Sequence, residues 1–216
     1  MRQLDINGWY KCKIDKQVYK QLTKRSDWQG LKHVFLWLVL LIISGYLACI
    51  SWGTWWAIPA FLVYGNIFMA CNPVWHECGH RTAFKTRWLN EFFYHIGSFM
   101  YNFEPIRWRW SHFHHHSYTL HTNPYDYEIQ VSKPTDLFYV FLMHIPGGNL
   151  FLIFKGILSF HWETIKHALG VTTPVMKDCI PENEISKCRF YSRLHISIWV
   201  SIIYFSVFIS SWLPVM

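Results

Sequence analysis

The sequence is poor in charge. Only 15% of its 216 residues are Asp, Glu, Lys or Arg, whereas 52% are hydrophobic and 19% are aromatic. This composition excludes a disordered chain and is unlike that of an ordinary water-soluble domain. The 20 basic residues outnumber the 13 acidic ones, yet they form no dense run and instead flank apolar segments. That distribution is typical of cytoplasmic anchors in membrane proteins, so we expect a lipid bilayer and no nucleic acid among the partners.

Several other features are missing. The chain opens with no secretory signal, because residues 1–33 are Lys-rich and contain no apolar core. The six cysteines show no paired framework, which favours reduced thiols. The sequence also contains no internal repeat and no low-complexity segment. We therefore expect one domain at 34–216, preceded by a solvated basic cytoplasmic tail at 1–33.

Three apolar runs are long enough to cross a membrane as helices, at about 34–50, 55–71 and 196–213. The first two are separated by four residues, which predicts a helical hairpin. Lys and Arg flank both ends of this hairpin but not its turn, so the amino terminus and the segment after the hairpin are expected in the cytoplasm. The predicted fold is all-α and integral to the membrane: a multi-pass protein with a helical hairpin, a third span and cytoplasmic interfacial helices.

A shorter amphipathic segment follows the hairpin at 88–102. Its apolar residues recur at helical spacing, but it is too short and too polar to cross the bilayer. We expect a helix that lies in the membrane interface.

Two histidine boxes stand close to these segments, HECGH at 76–80 and HFHHH at 112–116. Side chains three or four residues apart share a helix face, so each box presents several imidazoles together, while His114 points away. Imidazole binds Fe, Zn, Cu and Ni, and two such boxes beside a membrane hairpin predict a metal site. The predicted ligands are His76, His80, His112, His115 and His116.

Five imidazoles exceed the three or four ligands of a tetrahedral zinc site, which favours two ions in one histidine-rich cage. Carboxylates near the boxes are few. We expect Glu77 to orient a ligand imidazole by accepting its hydrogen bond. Asp126 and Glu128 either do the same or are ordinary loop acids.

The first box also matches the H-E-x-x-H pattern of zinc peptidases, in which Glu77 would be the general base. An intramembrane peptidase would need a third ligand, usually an Asp in a membrane segment, and the sequence offers none. This interpretation also leaves the second box unused.

The two boxes and their spacing resemble the membrane fatty acid desaturase superfamily. HECGH is similar to the first box of the branch with Δ12 and ω3 desaturases, and WRWSHFHHHSYT at 108–119 matches its H-x-x-H-H pattern. Two longer stretches of sequence, HECGHRTAFKTRWLNE and HALG at 167–170, resemble a bacterial-type branch associated with rhizopine catabolism and rhizobitoxine biosynthesis. The resemblance covers most of the chain from about residue 30.

The resemblance implies four spans, a cytoplasmic cap and two Fe ions held by histidines from three boxes. It further implies O2 as co-substrate, an acyl or related aliphatic substrate, and an electron donor of the ferredoxin or cytochrome b5 type. The third box and fourth span would lie beyond Met216, so we expect an amino-terminal fragment. His121 and His161 are candidate extra ligands.

The resemblance therefore predicts an oxidoreductase that desaturates an aliphatic chain. An aliphatic hydroxylase of the same superfamily remains open, because the boxes do not separate the two outcomes. The zinc peptidase and a non-catalytic partial copy also remain open.

Overall fold

The computed structural model describes residues 12–119, 125–128 and 157–211, with the side chains of 157–161 left out. Every regular element in these ranges is a helix, which confirms the all-α prediction. The helices, numbered here as α1 to α9 in chain order, are α1 (Lys16–Leu22), α2 (Asp27–Ile50), α3 (Ala57–Met69), α4 (Cys71–Gly79), α5 (Arg87–Met100), α6 (Pro105–Ser117), α7 (Ile157–Ala168), α8 (Pro174–Cys179) and α9 (Glu182–Phe208).

The predicted basic tail is partly helical. Asp15 caps α1 by accepting hydrogen bonds from the backbone N–H groups of Gln17 and Val18, both at 2.9 Å. Ser26 caps α2, which therefore begins before the apolar run at 34–50. Short polar side chains at these two positions satisfy helix N–H groups that have no partner within the helix.

The helices α2 and α3 form the predicted hairpin. The Trp37 indole N–H donates to the carbonyl of Ile67 at 2.9 Å and so ties the two helices together. Two helical stretches among the described residues are long and apolar enough to cross a membrane, Lys16–Ile50 and Ala57–Gly79. The first contains the predicted span at 34–50, and the second contains residues 57–71 of the span predicted at 55–71.

The third predicted span, at 196–213, overlaps α9, which begins 14 residues before 196. This helix is not among the described helices that are long and apolar enough to cross a membrane. Residues 212 and 213 of that prediction lie outside the described ranges. The crossing of this segment, and the orientation of the whole chain, stay predictions.

The first histidine box continues directly from the hairpin. Only Ala70 separates α3 from α4, so the helix that leaves the apolar run also carries His76. Trp75 anchors this stretch: its ring lies 3.9 Å from that of Trp108 and 5.1 Å from that of Phe103, and its N–H donates to Ser98 at 2.8 Å. The aromatic core thus joins α4, α5 and the start of α6.

The predicted amphipathic helix is present as α5, but its buried face differs from the apolar stripe. Asn90, Tyr94, Gly97 and Ser98 are buried, whereas Phe92 is 53% exposed. The polar Asn90 is buried because its amide bonds the backbone of Phe84 and Thr86, where it shapes the loop after the first box. The predicted location of α5 in the membrane interface stays a prediction.

The second box helix, α6, packs against α8 and α9 through Ile106, Met176 and Cys188. Glu104 caps it with a buried carboxylate that accepts from the N–H groups of Ile106 and Arg107. The Cys188 thiol of α9 donates to the same carboxylate at 3.2 Å. Burial raises the pKa of Glu104 to about 7.

We expect Gly97→Ala to destabilise the fold. A Cβ at this position would stand 2.6 Å from the Cβ of Trp75, which cannot move without the aromatic core. Overpacking of this kind costs about 1–3 kcal/mol. Thermal unfolding in detergent should show a clearly lower midpoint. Gly65→Ala is the matched control, because nothing lies within 4 Å of that position; equal midpoints for the two variants would contradict the prediction.

Candidate metal centre

The end of α4 and the middle of α6 bring four imidazoles to one place. One ring nitrogen from each of the four lies within 4.8 Å of the others, and this is the one such group found among the described residues. Two of the rings come from each box. They belong to His76, His80, His112 and His116.

The nitrogens of this cluster meet at ligand-like distances. His112 Nε2 lies 3.1 Å from His80 Nε2 and 3.1 Å from His116 Nε2. Two nitrogens bound to one ion at roughly 2.0–2.1 Å would lie about 3 Å apart. The spacing therefore matches that of neighbouring ligands on a metal ion.

A carboxylate fixes the direction of the central imidazole. Glu128 Oε2 lies 2.7 Å from His112 Nδ1, so the neutral ring places its proton on Nδ1 and leaves the Nε2 lone pair facing the cluster. The ring of Trp108 stacks on His112 with centroids 4.3 Å apart. Together these contacts hold the ring in a ligand-ready orientation.

Two further carboxylates stand beside box histidines. Glu77 Oε1 lies 3.2 Å from His76 Nδ1, and its other oxygen accepts from the Thr82 hydroxyl at 2.7 Å. Asp126 is fully buried and lies 2.8 Å from His115 Nδ1. Both positions agree with the orienting contacts predicted for these acids, while the role itself stays a prediction.

The remaining predicted site residues are placed differently. His115 does not join the four-membered cluster, and its Nδ1 lies 2.8 Å from Asp126. His114 is also outside the cluster and lies beside Tyr118. His121 lies outside the described residues, as does the side chain of His161.

One carboxylate links the two boxes. Glu91 of α5 accepts from Arg81, just after the first box, at 2.7 Å and from both terminal nitrogens of Arg109 in α6 at 3.0 Å. Burial raises the pKa of Glu91, but the bond from Arg81 and the charge of Arg109 outweigh it and hold that pKa below its usual range. Glu91 is thus an anion that fixes α6 against the end of α4.

Two members of the cluster, His80 and His116, favour the neutral form because their pKa values are lowered. Burial, together with the positive charge that His112, His76 and His116 would carry, lowers the pKa of His80 to about 4. The pKa of His116 is lowered for the same reasons, burial first. A neutral ring offers a free lone pair, which is the form that binds a metal.

Two clefts open beside the cluster. The larger, about 700 Å³, is bounded by His80, His116, Trp110 and Phe113 with Arg109 at its side. The smaller, about 280 Å³, lies on the far side of His112 and reaches Tyr101. The cluster is therefore reachable from two directions.

Sequence reasoning missed several groups that build this site. Trp108 and the Arg81–Glu91–Arg109 link belong to no motif that was used for the prediction. For Glu128 the sequence left two interpretations open, an orienting carboxylate or an ordinary loop acid. Tryptophan beside the second box was a usable signal, because RWRW directly precedes it. The ion pairs were not readable, since Glu91 lies 10 and 18 residues from its two partners.

Comparison with known proteins identifies the family. A family model described as fatty acid desaturase matches residues 50–216. The chain belongs to this family. The relatives described next confirm the resemblance to the Δ12 and ω3 branch of the superfamily. The resemblance to the rhizopine and rhizobitoxine branch stays a prediction.

Three relatives are informative. An sn-1 oleoyl-lipid 12-desaturase of Synechocystis sp. is 30% identical over 133 residues, covering 59% of this chain and 36% of the relative. An enzyme of the same name from Anabaena variabilis is 29% identical over 115 residues, covering 51% and 32%. An sn-1 acyl-lipid omega-3 desaturase (ferredoxin) of Nostoc sp. is 26% identical over 150 residues, covering 64% and 40%.

The matched part of the chain thus spans about a third of the length of these relatives. No solved structure matches the chain.

We expect His80→Ala to abolish metal binding at the cluster, because it removes one of four converging nitrogens. The purified protein, loaded with Fe(II) or Co(II) and desalted, should lose most of its bound metal by elemental analysis. His114→Ala is the control from the second box, since that ring lies outside the cluster. Equal metal loss in the two variants would show that the cluster is not the binding site.

Glu128→Gln should weaken metal binding without removing a ligand, because the amide no longer fixes the proton of His112. Loss of such an orienting carboxylate typically costs about 10–100-fold in metal affinity. Competition with a chelator measures the change. Glu184→Gln is the control, since Glu184 pairs with Lys187 on an exposed face; the idea fails if both variants keep the parent affinity.

Proposed function

We propose that this chain is the metal-binding core of a membrane di-iron oxygenase that uses O2 to desaturate a fatty acyl chain or a related aliphatic substrate. The observation that carries the proposal is the four-imidazole cluster built from both histidine boxes. Family membership supports the desaturase-type reaction, and the two apolar helical stretches support membrane insertion.

The residues present fit an iron site in their donor chemistry. Four imidazoles converge, and imidazole is a good ligand for iron. A second ion would use His115, whose Nδ1 faces Asp126 and whose Nε2 is thereby left as an acceptor. The proposed ligands are the predicted five, completed by groups outside the described residues.

Iron with O2 would supply the oxidant that removes two hydrogens from adjacent carbons. The chain's own residues hold and aim that chemistry. Glu128 and Asp126 keep the Nδ1 protons of His112 and His115, so that the opposite nitrogens face inward. Glu77 faces His76 in the same way, and its second oxygen is held by Thr82.

The larger cleft is the proposed place for the aliphatic substrate. Trp108, Trp110 and Phe113 line it with apolar surface, and His80 and His116 border the same space. An alkyl chain in this cleft would lie against these rings and the metal ligands, while Glu77, Arg81, Thr82 and Arg109 also border the cleft. Electrons are proposed to come from a ferredoxin or cytochrome b5 type donor.

The zinc peptidase alternative is disfavoured by the position of Glu77. A general base would face the metal-bound water, whereas the Glu77 carboxylate bonds Thr82 and His76 Nδ1. The four-imidazole cluster also includes two histidines of the second box, whereas a peptidase site built on the first box would not use them.

The proposal is tested by expressing the protein from its full coding sequence in a host that supplies reduced ferredoxin, then analysing membrane lipids by gas chromatography and mass spectrometry. We expect a new double bond, and a loss of product of at least about 100-fold in His112→Ala, because an incomplete metal site cannot form the oxidant. His33→Ala, an exposed residue of α2, is the control.

Other products would decide between the alternatives. A hydroxylated lipid without unsaturation would replace desaturation by hydroxylation. One zinc per chain and no iron, with peptide cleavage, would instead establish the peptidase. A stable, metal-free and inactive protein would indicate a non-catalytic copy.

A further inference from the structure

An exposed apolar stripe begins at Ile14, just before α1, and continues along that helix to its last residue, Leu22. Ile14, Val18 and Leu22 recur at a four-residue spacing and are 60%, 49% and 80% exposed. No residue of α1 is buried. A helix of a soluble protein buries such a stripe against its own core, so this face is built to contact something apolar.

Positive charge surrounds this stripe. Residues 12–26 contain five basic side chains and one acidic side chain, and the acid, Asp15, is engaged in capping α1. None of the ion pairs found among the described residues involves a basic group of this segment. The five are Lys13, Lys16, Lys20, Lys24 and Arg25.

A cleft of about 960 Å³ lies where α1, the start of α2 and the loop after the first box meet. Lys24, Arg25 and Lys85 line this cleft together with Tyr19 and Leu22 from α1. The three basic residues belong to no ion pair among the described residues. The cleft therefore joins an anion-attracting rim to the apolar stripe.

The position of this cleft relative to the membrane–water interface is set by α2, the first apolar helix. Trp28, one turn after Arg25, is 65% exposed, and exposed tryptophans of this kind collect at the membrane–water interface. Only residues 23–26 separate α1 from α2, so α1 cannot move far from that level. Asp27 holds the junction to the box loop by accepting from the N–H and the hydroxyl of Thr86, both at 2.7 Å.

We propose that the cleft binds the phosphate headgroup of an anionic membrane lipid, with α1 lying in the same leaflet and its stripe inserted among the acyl chains. Lys24, Arg25 and Lys85 contact the phosphate, and Ile14, Val18 and Leu22 contact the lipid tails. This segment precedes the residues that the family model matches, and its role is independent of the metal ligands.

A lipid is favoured over an acidic protein partner by the combination of features. An acidic electron carrier would be attracted by the charges alone and would leave the apolar stripe in water. A lipid satisfies both the charges and the stripe, and it is present wherever α2 enters the bilayer. The proposal rests on the membrane insertion proposed above, but not on iron, O2 or catalysis.

The test is lipid retention by the full chain, purified in detergent with equal amounts of phosphatidylglycerol and phosphatidylcholine and examined by native mass spectrometry. We expect preferential retention of phosphatidylglycerol. Lys24→Gln/Arg25→Gln should reduce this retention on the order of tenfold. The reason is that the variant removes two of the three basic groups that attract the anionic headgroup. The control, Lys177→Gln/Lys187→Gln, removes the same charge from exposed sites on α8 and α9.

A second variant keeps the test decisive if the first folds poorly. Val18→Ser/Leu22→Ser leaves every charge in place and should also lower retention, because the tails lose their contacts. Equal retention of the two lipids, or parent-like retention in both cleft variants, would overturn the proposal. So would displacement of the lipid by soluble glycerol phosphate, which would indicate a free-phosphate site.

The competing partner has its own outcome. If Lys24→Gln/Arg25→Gln retains lipid normally but no longer binds an acidic ferredoxin, the surface is a donor-docking site and the lipid proposal is wrong. All of these readouts are independent of metal content and product formation, so failure here is distinguishable from failure of the desaturase proposal.

Discussion

The arrangement depends on one shared carboxylate. Glu91 accepts hydrogen bonds from Arg81, which follows the first histidine box, and from Arg109, which precedes the key histidines of the second. Without an anion between them, the two guanidinium groups would repel each other where the boxes must meet. The Arg109 guanidinium also lies 4.1 Å over the ring of the buried Tyr94, so the link is anchored to the core of α5.

Aromatic packing supplies the rest of the precision. Trp75 and Trp108 lie in contact. Trp75 directly precedes His76 in the sequence, and Trp108 stacks on His112. Gly79 and Gly97 let these rings approach the backbone, since a Cβ at either position would come within 2.6 Å of a tryptophan. Rigid rings and missing side chains together set where His76 and His112 can be. A metal site needs such fixed ligands, because errors of a few tenths of an ångström weaken binding.

The chain presents two surfaces that differ in their chemistry. At the proposed metal centre the His112 ring is buried, and carboxylates contact the Nδ1 atoms of His76, His112 and His115. The amino-terminal cleft uses exposed charges beside an apolar stripe, and it needs a bilayer to complete it. Asp27 and Thr86 connect the two, because the loop that Asp27 holds is the loop that follows the first box.

The sequence by itself determined the all-α class, the hairpin, the helical placement of both boxes and the family. These follow from local signals, namely the length of the apolar runs, the spacing of the histidines along a helix, and the sequence of the two motifs. Only the tertiary structure decided that four of the five predicted ligands converge while His115 turns to Asp126. It also decided that Glu128 orients His112, and that α5 buries Asn90 and Tyr94 while Phe92 faces outward. The physical reason is that these outcomes depend on contacts between residues distant in sequence, and helical periodicity describes only neighbours one or two turns apart.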